Sequence, residues 1–278
     1  MTGATLRPLY LREIEPVPIT VHHLICLEGI LMKAVLWALW LSLLLPKAYA
    51  IPPLRAVTEE LPPYNMVRDG RVTGMGTEVV EAVLRQAGLQ VEIKSMPWAR
   101  AYDEGLHDEN VLIYSIARTP EREGLFQWVG SIAPSRLFLY ALASHPVQLA
   151  NLEQAREYQI GTVKDDVSEQ YLISKGFEVG KNLQSSNKYE SNYEKLKLGH
   201  VDLWVSNELN AHFLTREAGA DPAMTLVPVL PLAELSLADG LFLACSTRTP
   251  AATVTQLRDA FKVIQADGTY AAIMARWM

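Results

Sequence analysis

Val111-Leu-Ile-Tyr-Ser-Ile-Ala-Arg-Thr-Pro-Glu-Arg122 is the stretch that decides the fold class. Val111–Ala117 is uncharged, free of proline and glycine, and rich in branched and aromatic side chains. That is the pattern of a strand buried on both faces. After Arg118, Thr119 stands as an N-cap with Pro120 at the first helical position, so a helix is expected to follow directly. A buried strand that runs straight into a helix is the unit from which α/β proteins are built.

Working outward, the unit recurs. Toward the N-terminus, Val91–Ser95 reads as a strand, and Pro97-Trp98 opens a helix to about Leu106. Thr77 to Ala87 is an amphipathic helix, with Val79, Val80, Val83, Leu84 and Ala87 at helical spacing and Gly88 as its stop. Leu54–Thr58 is a short strand ended by Pro62-Pro63, and Asp69-Gly70 marks a turn. Toward the C-terminus, Leu137–Ala143 is a long apolar strand, after which the pattern restarts. Tyr158–Val163 is a strand; Asp166-Val-Ser-Glu169 resembles a capping box ahead of a helix Val167–Lys175. Helices are expected at Tyr193–Leu198 and Leu209–Ala218, strands at Val201–Ser206 and Leu241–Cys245, and two closing helices at Ala251–Ala266 and Thr269–Trp277.

The expected architecture is α/β with two lobes. Residues 51–136 and 240–278 form one, and residues 137–239 the other. The Leu137–Ala143 strand is expected to cross between them and the chain to return near Leu241, making a hinge. Ligands of α/β units sit at the carboxyl ends of strands, so two facing lobes place a site in the interlobe cleft.

Composition narrows the function. The chain has 278 residues, 31 acidic against 25 basic, a net charge of -6, 49 % apolar and 20 % charged residues. This excludes wholesale disorder, and the acidic balance argues against nucleic acid as a partner. Cys26 and Cys245 form no Cys-x-x-Cys, so neither a disulfide framework nor a thiolate zinc site is expected. The phosphate-cradling glycine loops, the Gly-x-Ser-x-Gly elbow and His-Glu-x-x-His are all missing. No cofactor or metal is therefore expected. His107 lies among Asp103, Glu104, Asp108 and Glu109 as a solvated loop, and His200 follows Gly199 at a helix end.

From Met32 the chain reads Met-Lys, an apolar run Ala34 to Leu45, then Pro46-Lys47-Ala48-Tyr49-Ala50. A basic start, a short apolar core and an Ala-x-Ala end are the parts of a secretory signal peptide. Twelve helical residues reach about 18 Å, short of a ~30 Å hydrocarbon core. Residues 1–50 are thus expected to be a leader, with cleavage after Ala50, Met32 as the start and residues 1–31 not translated. Cys26 lacks the preceding small residue of a lipid-attachment site. A soluble periplasmic protein is expected, with Cys245 buried and inert.

Several colinear segments resemble the extracytoplasmic solute-binding proteins of family 3, the polar amino acid receptors of ABC importers. These are Glu59-Glu60-Leu-Pro-Pro-Tyr64, Gly74 to Gly88, Pro97-Trp98, Ser115-Ile-Ala-Arg-Thr-Pro-Glu-Arg122, Gly199-His-Val-Asp202, and Ala266-Asp-Gly-Thr-Tyr270 with Trp277. The resemblance covers 53–278 and implies two α/β lobes closing over a ligand. It implies that Arg122 pairs with a ligand carboxylate through two parallel hydrogen bonds, set against a surface Arg in a first helical turn. Ser115 stands at a ligand-contacting position, Tyr64 and Trp98 at aromatic walls, and Glu59 where an acid reaches a ligand side chain. Arg118 is a second anchor or a solvated cation. The family's ammonium-holding Asp is matched here by neutral Asn207. The family's Gly-Thr pair is matched by Lys164-Asp165-Asp166-Val167, where Asp165 or Asp166 supplies a negative charge, Asp166 simply caps the helix, or Lys164 instead attracts a second anionic group.

The resemblance implies a monomeric binding protein for a small polar or anionic, amino acid-like solute, read by a membrane permease or a sensor protein. Two other classes stay open. One is an enzyme on the same fold, a dehydratase or lyase acting on a small carboxylate, with Glu59, Asp165 or Asp166 as acid or base. The other is an interaction module that binds no ligand.

Overall fold

The computed structural model describes residues 52–235 and 240–278. The expected leader and its cleavage site lie outside these residues.

In chain order the elements are β1 (Arg55–Thr58), β2 (Met66–Arg68), β3 (Arg71–Thr73), α1 (Met75–Gln86), β4 (Glu92–Ser95), α2 (Trp98–His107) and β5 (Val111–Ala117). A 3-10 turn, Pro120–Leu125, leads into β6 (Phe126–Ala133) and β7 (Leu137–Leu142). The second half holds β8 (Ile160–Val163), α3 (Val167–Ser174), β9 (Leu183–Ser186), α4 (Tyr189–Lys197), β10 (Leu203–Asn207) and α5 (Glu208–Glu217). It continues with α6 (Pro222–Thr225), β11 (Leu226–Pro231), β12 (Leu241–Ser246), α7 (Ala251–Ala266) and α8 (Thr269–Trp277).

Two five-stranded sheets organise these elements. The first runs β4-β1-β5-β12-β6, the second β11-β7-β10-β8-β9. Both are mixed: β1 is parallel to β4 and β5, while β12 is antiparallel to β5 and β6. In the second, β8 is parallel to β9 and β10, and β7 is antiparallel to β10 and β11. The fold is α/β and two-lobed, with a cleft between the lobes. Both sheets lie in one compact unit, Pro52–Met278.

All of β5 is buried, as its unbroken apolar run requires. The second sheet instead alternates. Leu137, Leu139 and Ala141 join one core with Leu203 and Val205, while Tyr140 and Trp204 point to the other core, shared with the first lobe. Period-two alternation across a sheet covered on both faces produces this division.

Three expectations need correction. Leu137–Leu142 does not cross between lobes, because its length is paired with β10 and β11; the chain crosses at residues 134–136. The helix expected after Thr119 is present, with Thr119 at its N-cap position and Pro120 at its start, but as a short 3-10 helix, Pro120–Leu125, because Gly124 has low helix propensity and Phe126 is already claimed by β6. Strands β2, β3, β6, β9 and β11 were not expected. In β11, Pro228 and Pro231 mask the strand; they are tolerated because β11 is a sheet edge.

Candidate functional site

The site begins with a backbone irregularity. In the β5–β12 ladder, Ile116 faces Phe242 and Tyr114 faces Leu243, so Ser115 is the unpaired residue of a β-bulge. Its φ of 60° lies in the left-handed region, a strained place for serine. The bulge turns the Ser115 hydroxyl away from the ladder to donate to the Asn65 Oδ1. Gly76 clears room for it, since a Cβ there would lie 3.0 Å from Ser115 Oγ. Asn65 in turn donates to the Glu59 carbonyl, so Glu59 and Ser115 are held from one side chain.

Beyond the bulge, the 3-10 turn carries Arg122 into the interior. Arg122 is only 2 % exposed, which removes the surface-arginine alternative. Its guanidinium lies 4.8 Å from the Tyr102 ring centroid and 5.7 Å from that of Trp98. The two rings sit one helical turn apart on α2. Nη2 donates to Gln170 Oε1 at 3.0 Å, across the seam between lobes. Nε is buried without a partner, and among the described residues no carboxylate lies within 4.0 Å of this guanidinium. Burial pushes the Arg122 pKa down, against the opposing pull of Tyr102, Asp166 and Tyr189.

Glu59 is 5 % exposed, and no hydrogen bond to its carboxylate is found among the described residues. Burial raises its pKa well above the usual carboxylate range. Asp166 adds to the rise and Arg122 opposes it. Asp166 comes from the other lobe, where it caps α3: it accepts from the Glu169 N–H at 2.8 Å, from Ser168 Oγ and from Tyr189 Oη at 3.0 Å. Burial raises the Asp166 pKa despite these donors. Burial and the charges of Asp166 and Glu59 push Tyr189 above the ordinary phenol value, which keeps its proton in place for the bond to Asp166. Glu169 does not close a capping box on Asp166. It accepts from the Asp165 N–H at 3.0 Å and from Thr162 Oγ1 at 2.6 Å.

The remaining expected residues divide. Trp98 is at the seam, where Nε1 donates to the Asp165 carbonyl at 2.9 Å. Asp165 contributes that carbonyl, which also accepts from Gln170 Nε2 at 3.0 Å. Tyr64 is buried and donates to Pro134 O at 2.9 Å, supporting the crossing segment. Asn207 is buried next to it, its Oδ1 taken by Ser135 Oγ. Arg118 is not brought into the cluster. It grips Glu123 through Nε and Nη2 at 2.7 and 2.6 Å and lies 5.5 Å from the Trp128 and Phe242 centroids.

Sequence reading missed Tyr102, Gln170, Tyr189, Asn65 and Asn210. Tyr102 was within reach, being four residues after Trp98 on the same helix face. Asn210 donates to the Pro62 carbonyl at 2.6 Å, a third bond between the lobes. Only the tertiary fold brings these pairs together.

Two grooves are lined from both lobes. One, about 260 Å³, includes Thr119, Glu121, Gln170 and Tyr171; the other, about 420 Å³, includes Glu60, Ser95, Lys188 and Glu190. A larger groove of about 820 Å³ lies between β2–β3, α1 and α8 and shares none of the residues above. Its lining includes the ion pairs Arg85–Glu81 and Arg276–Glu78 and comes from the first lobe alone, so it lacks the enclosure a small-solute site needs and the interlobe cluster is the stronger site. Among the described residues no cluster of metal ligands occurs, and no helix is long and apolar enough to cross a membrane.

Residues 54–278 match the sequence profile of the bacterial extracellular solute-binding proteins, family 3. No curated protein matches the sequence. Among solved structures, the chain is similar to a histidine kinase sensor domain with similarity to periplasmic binding proteins: TM-score 0.70, 20 % identity, covering 81 % of this chain and 96 % of that one. It is similar to an ancestral arginine-binding protein bound to arginine: TM-score 0.70, 17 % identity, coverage 82 % and 100 %. It is also similar to the GluR0 ligand-binding core from Nostoc punctiforme in complex with L-glutamate: TM-score 0.66, 16 % identity, coverage 81 % and 99 %. At these identities the likeness is one of fold.

Proposed function

The chain belongs to the bacterial extracellular solute-binding proteins of family 3, and on that premise we propose that it captures a small amino acid-like solute between its lobes. One observation carries the reading. Arg122 and Glu59 are both buried ionisable groups, and among the described residues neither makes a salt bridge. A buried charge without a partner is expensive. A solute with a carboxylate and an ammonium relieves both at once, the carboxylate on Arg122 and the ammonium toward Glu59 and Asp166. Ser115, set by its bulge, and the flat faces of Trp98 and Tyr102 would complete the enclosure.

Closure would then be held by the solute together with the interlobe bonds from Trp98, Arg122 and Asn210. Hinge closure around a ligand gives a partner a distinct surface to read. That partner is either a membrane permease of an importer or a sensor protein, and the protein would meet it outside the cytoplasm after removal of residues 1–50. The solved sensor-domain neighbour favours keeping both partners in view. Members of the family are binding proteins, and binding rather than catalysis is the reading adopted here. A thermal-shift screen of amino acids, other small carboxylates and amines tests it. A solute that raises the melting temperature of the wild-type protein and not of Arg122→Ala supports the reading. A cleft that no solute stabilises refutes it.

A further inference from the structure

Arg122 is held by its own lobe and by the other one, and the two grips differ in kind. The rings of Trp98 and Tyr102 lie 5.7 and 4.8 Å from the guanidinium carbon. A ring face attracts a cation but does not direct its N–H groups. The orientation of the guanidinium in its own plane therefore rests on hydrogen bonds. Among the described residues there are two: Nη1 donates to the Ala117 carbonyl at 3.4 Å, and Nη2 to Gln170 Oε1 at 3.0 Å. The first is long for an N–H···O bond, so the Gln170 bond is the better defined. Nε stays buried without a partner. In-plane orientation matters here, because two parallel bonds to a carboxylate require the two groups to lie in one plane.

Gln170 is itself fixed by a closed circuit across the seam. Its Nε2 donates to the Asp165 carbonyl at 3.0 Å, and the same carbonyl accepts from Trp98 Nε1 at 2.9 Å. Trp98 and Arg122 belong to the first lobe, Asp165 and Gln170 to the second. Arg122 over the Trp98 ring completes the circuit. Asp165 has φ of 59°, in the left-handed region, and its N–H donates to Glu169 Oε1 at 3.0 Å. A non-glycine residue persists in that conformation when its surroundings over-determine it. Here the outcome is one carbonyl that serves both lobes. Gln170 is exposed and lines the groove of about 260 Å³ beside Thr119 and Glu121, from which its amide reaches the buried arginine. Resting on the solute-binding reading above, we propose that Gln170 is a positioning residue for the solute carboxylate. From the second lobe it sets the plane of the Arg122 guanidinium, so the carboxylate seat on the first lobe is complete only when the lobes are closed. Gln170 acts on the solute through Arg122 alone.

Gln170→Met tests this, since it keeps the length of the side chain and removes both polar atoms at an exposed position. The melting temperature without solute should move by about 2 °C or less. The probes are L-glutamine, L-arginine and L-glutamate, which share one backbone and differ in side-chain charge. Association and dissociation rates are read by stopped-flow fluorescence on wild type and variants. For each probe that wild type binds, Gln170→Met should raise the dissociation rate roughly fivefold to tenfold, the scale of one hydrogen bond to a charged group. The association rate should stay within about twofold. The factor should be common to all bound probes, because they share the carboxylate. In an Arg122→Lys background, where no planar group remains to be oriented, Gln170→Met should change dissociation by less than about twofold. Unchanged rates in Gln170→Met would overturn the positioning role and leave solute binding standing. A full-sized effect that persists beside Arg122→Lys would overturn it as well, because Gln170 would then act independently of the arginine. Failure of every probe to bind wild type would overturn it together with the reading beneath it.

Discussion

Replacing Arg122 by alanine separates its role in binding from its role in the fold. In the free protein the substitution has two opposed effects. It removes stacking on Tyr102 at 4.8 Å and Trp98 at 5.7 Å, and hydrogen bonds to Gln170 at 3.0 Å and the Ala117 carbonyl at 3.4 Å. Cation–π contacts of a desolvated guanidinium are worth about 2 kcal/mol, and the better hydrogen bond about 1 kcal/mol. It also abolishes a buried cation with no ion pair and an orphan Nε, whose desolvation is a cost of several kcal/mol. These nearly offset, so the melting temperature without ligand should move by about 5 °C or less. With solute present nothing offsets the loss. A carboxylate left buried without its cation costs about 2–5 kcal/mol, roughly 30-fold to several thousandfold in affinity. Arg122→Lys should recover only part of this, because an ammonium cannot make two parallel contacts. Calorimetric titration of both variants with the solute found by screening, beside their melting curves, is the assay. Unchanged affinity in a folded Arg122→Ala protein would refute the assignment.

Other outcomes follow from single features of the structure. Glu59→Gln should be more stable than wild type near neutral pH, because a carboxyl whose pKa is raised by folding contributes stability below its ordinary value, 4.5, that is lost as pH rises through the raised value. The difference between the two melting curves should therefore shrink on acidification toward that value, and a difference independent of pH would count against the burial argument. Gly74→Ala should cost about 2 kcal/mol or more in a denaturant titration, since φ is 118° and the new Cβ would lie 2.6 Å from Tyr64 O and 2.7 Å from Pro63 O; wild-type stability would show that this turn yields. Cys245 is fully buried, with its pKa pushed up to about 12 by burial, so it should resist a thiol reagent in the native protein and react once unfolded. Rapid native labelling would place β12 outside the core.

Residues whose surroundings are local were legible in the sequence, and those set by long-range pairing were not. The β5 run announces a buried strand because every residue in it is apolar or small. Asp166 announces a cap, and the structure has it accepting from the Glu169 N–H. The start of α4 at Tyr189 was missed because Lys188 makes no side-chain cap. The Ser115 bulge depends on how β5 registers against β12, more than a hundred residues away, and no local pattern encodes it. The burial of Arg122 is of the same kind. Thr119-Pro120 signals a turn, but only the packing of α2 and the neighbouring lobe turns a first-turn arginine into an interior one. The mixed direction of both sheets was also hidden, since apolar runs in parallel and antiparallel strands read alike.

Native mass spectrometry of the protein purified without denaturation from the compartment it is exported to tests the central claim most directly. The account expects one small solute per chain, carrying a carboxylate, released intact on unfolding and missing from Arg122→Ala. A chain that carries no solute after incubation with the full panel, or one that holds only a chemically altered product, would contradict it.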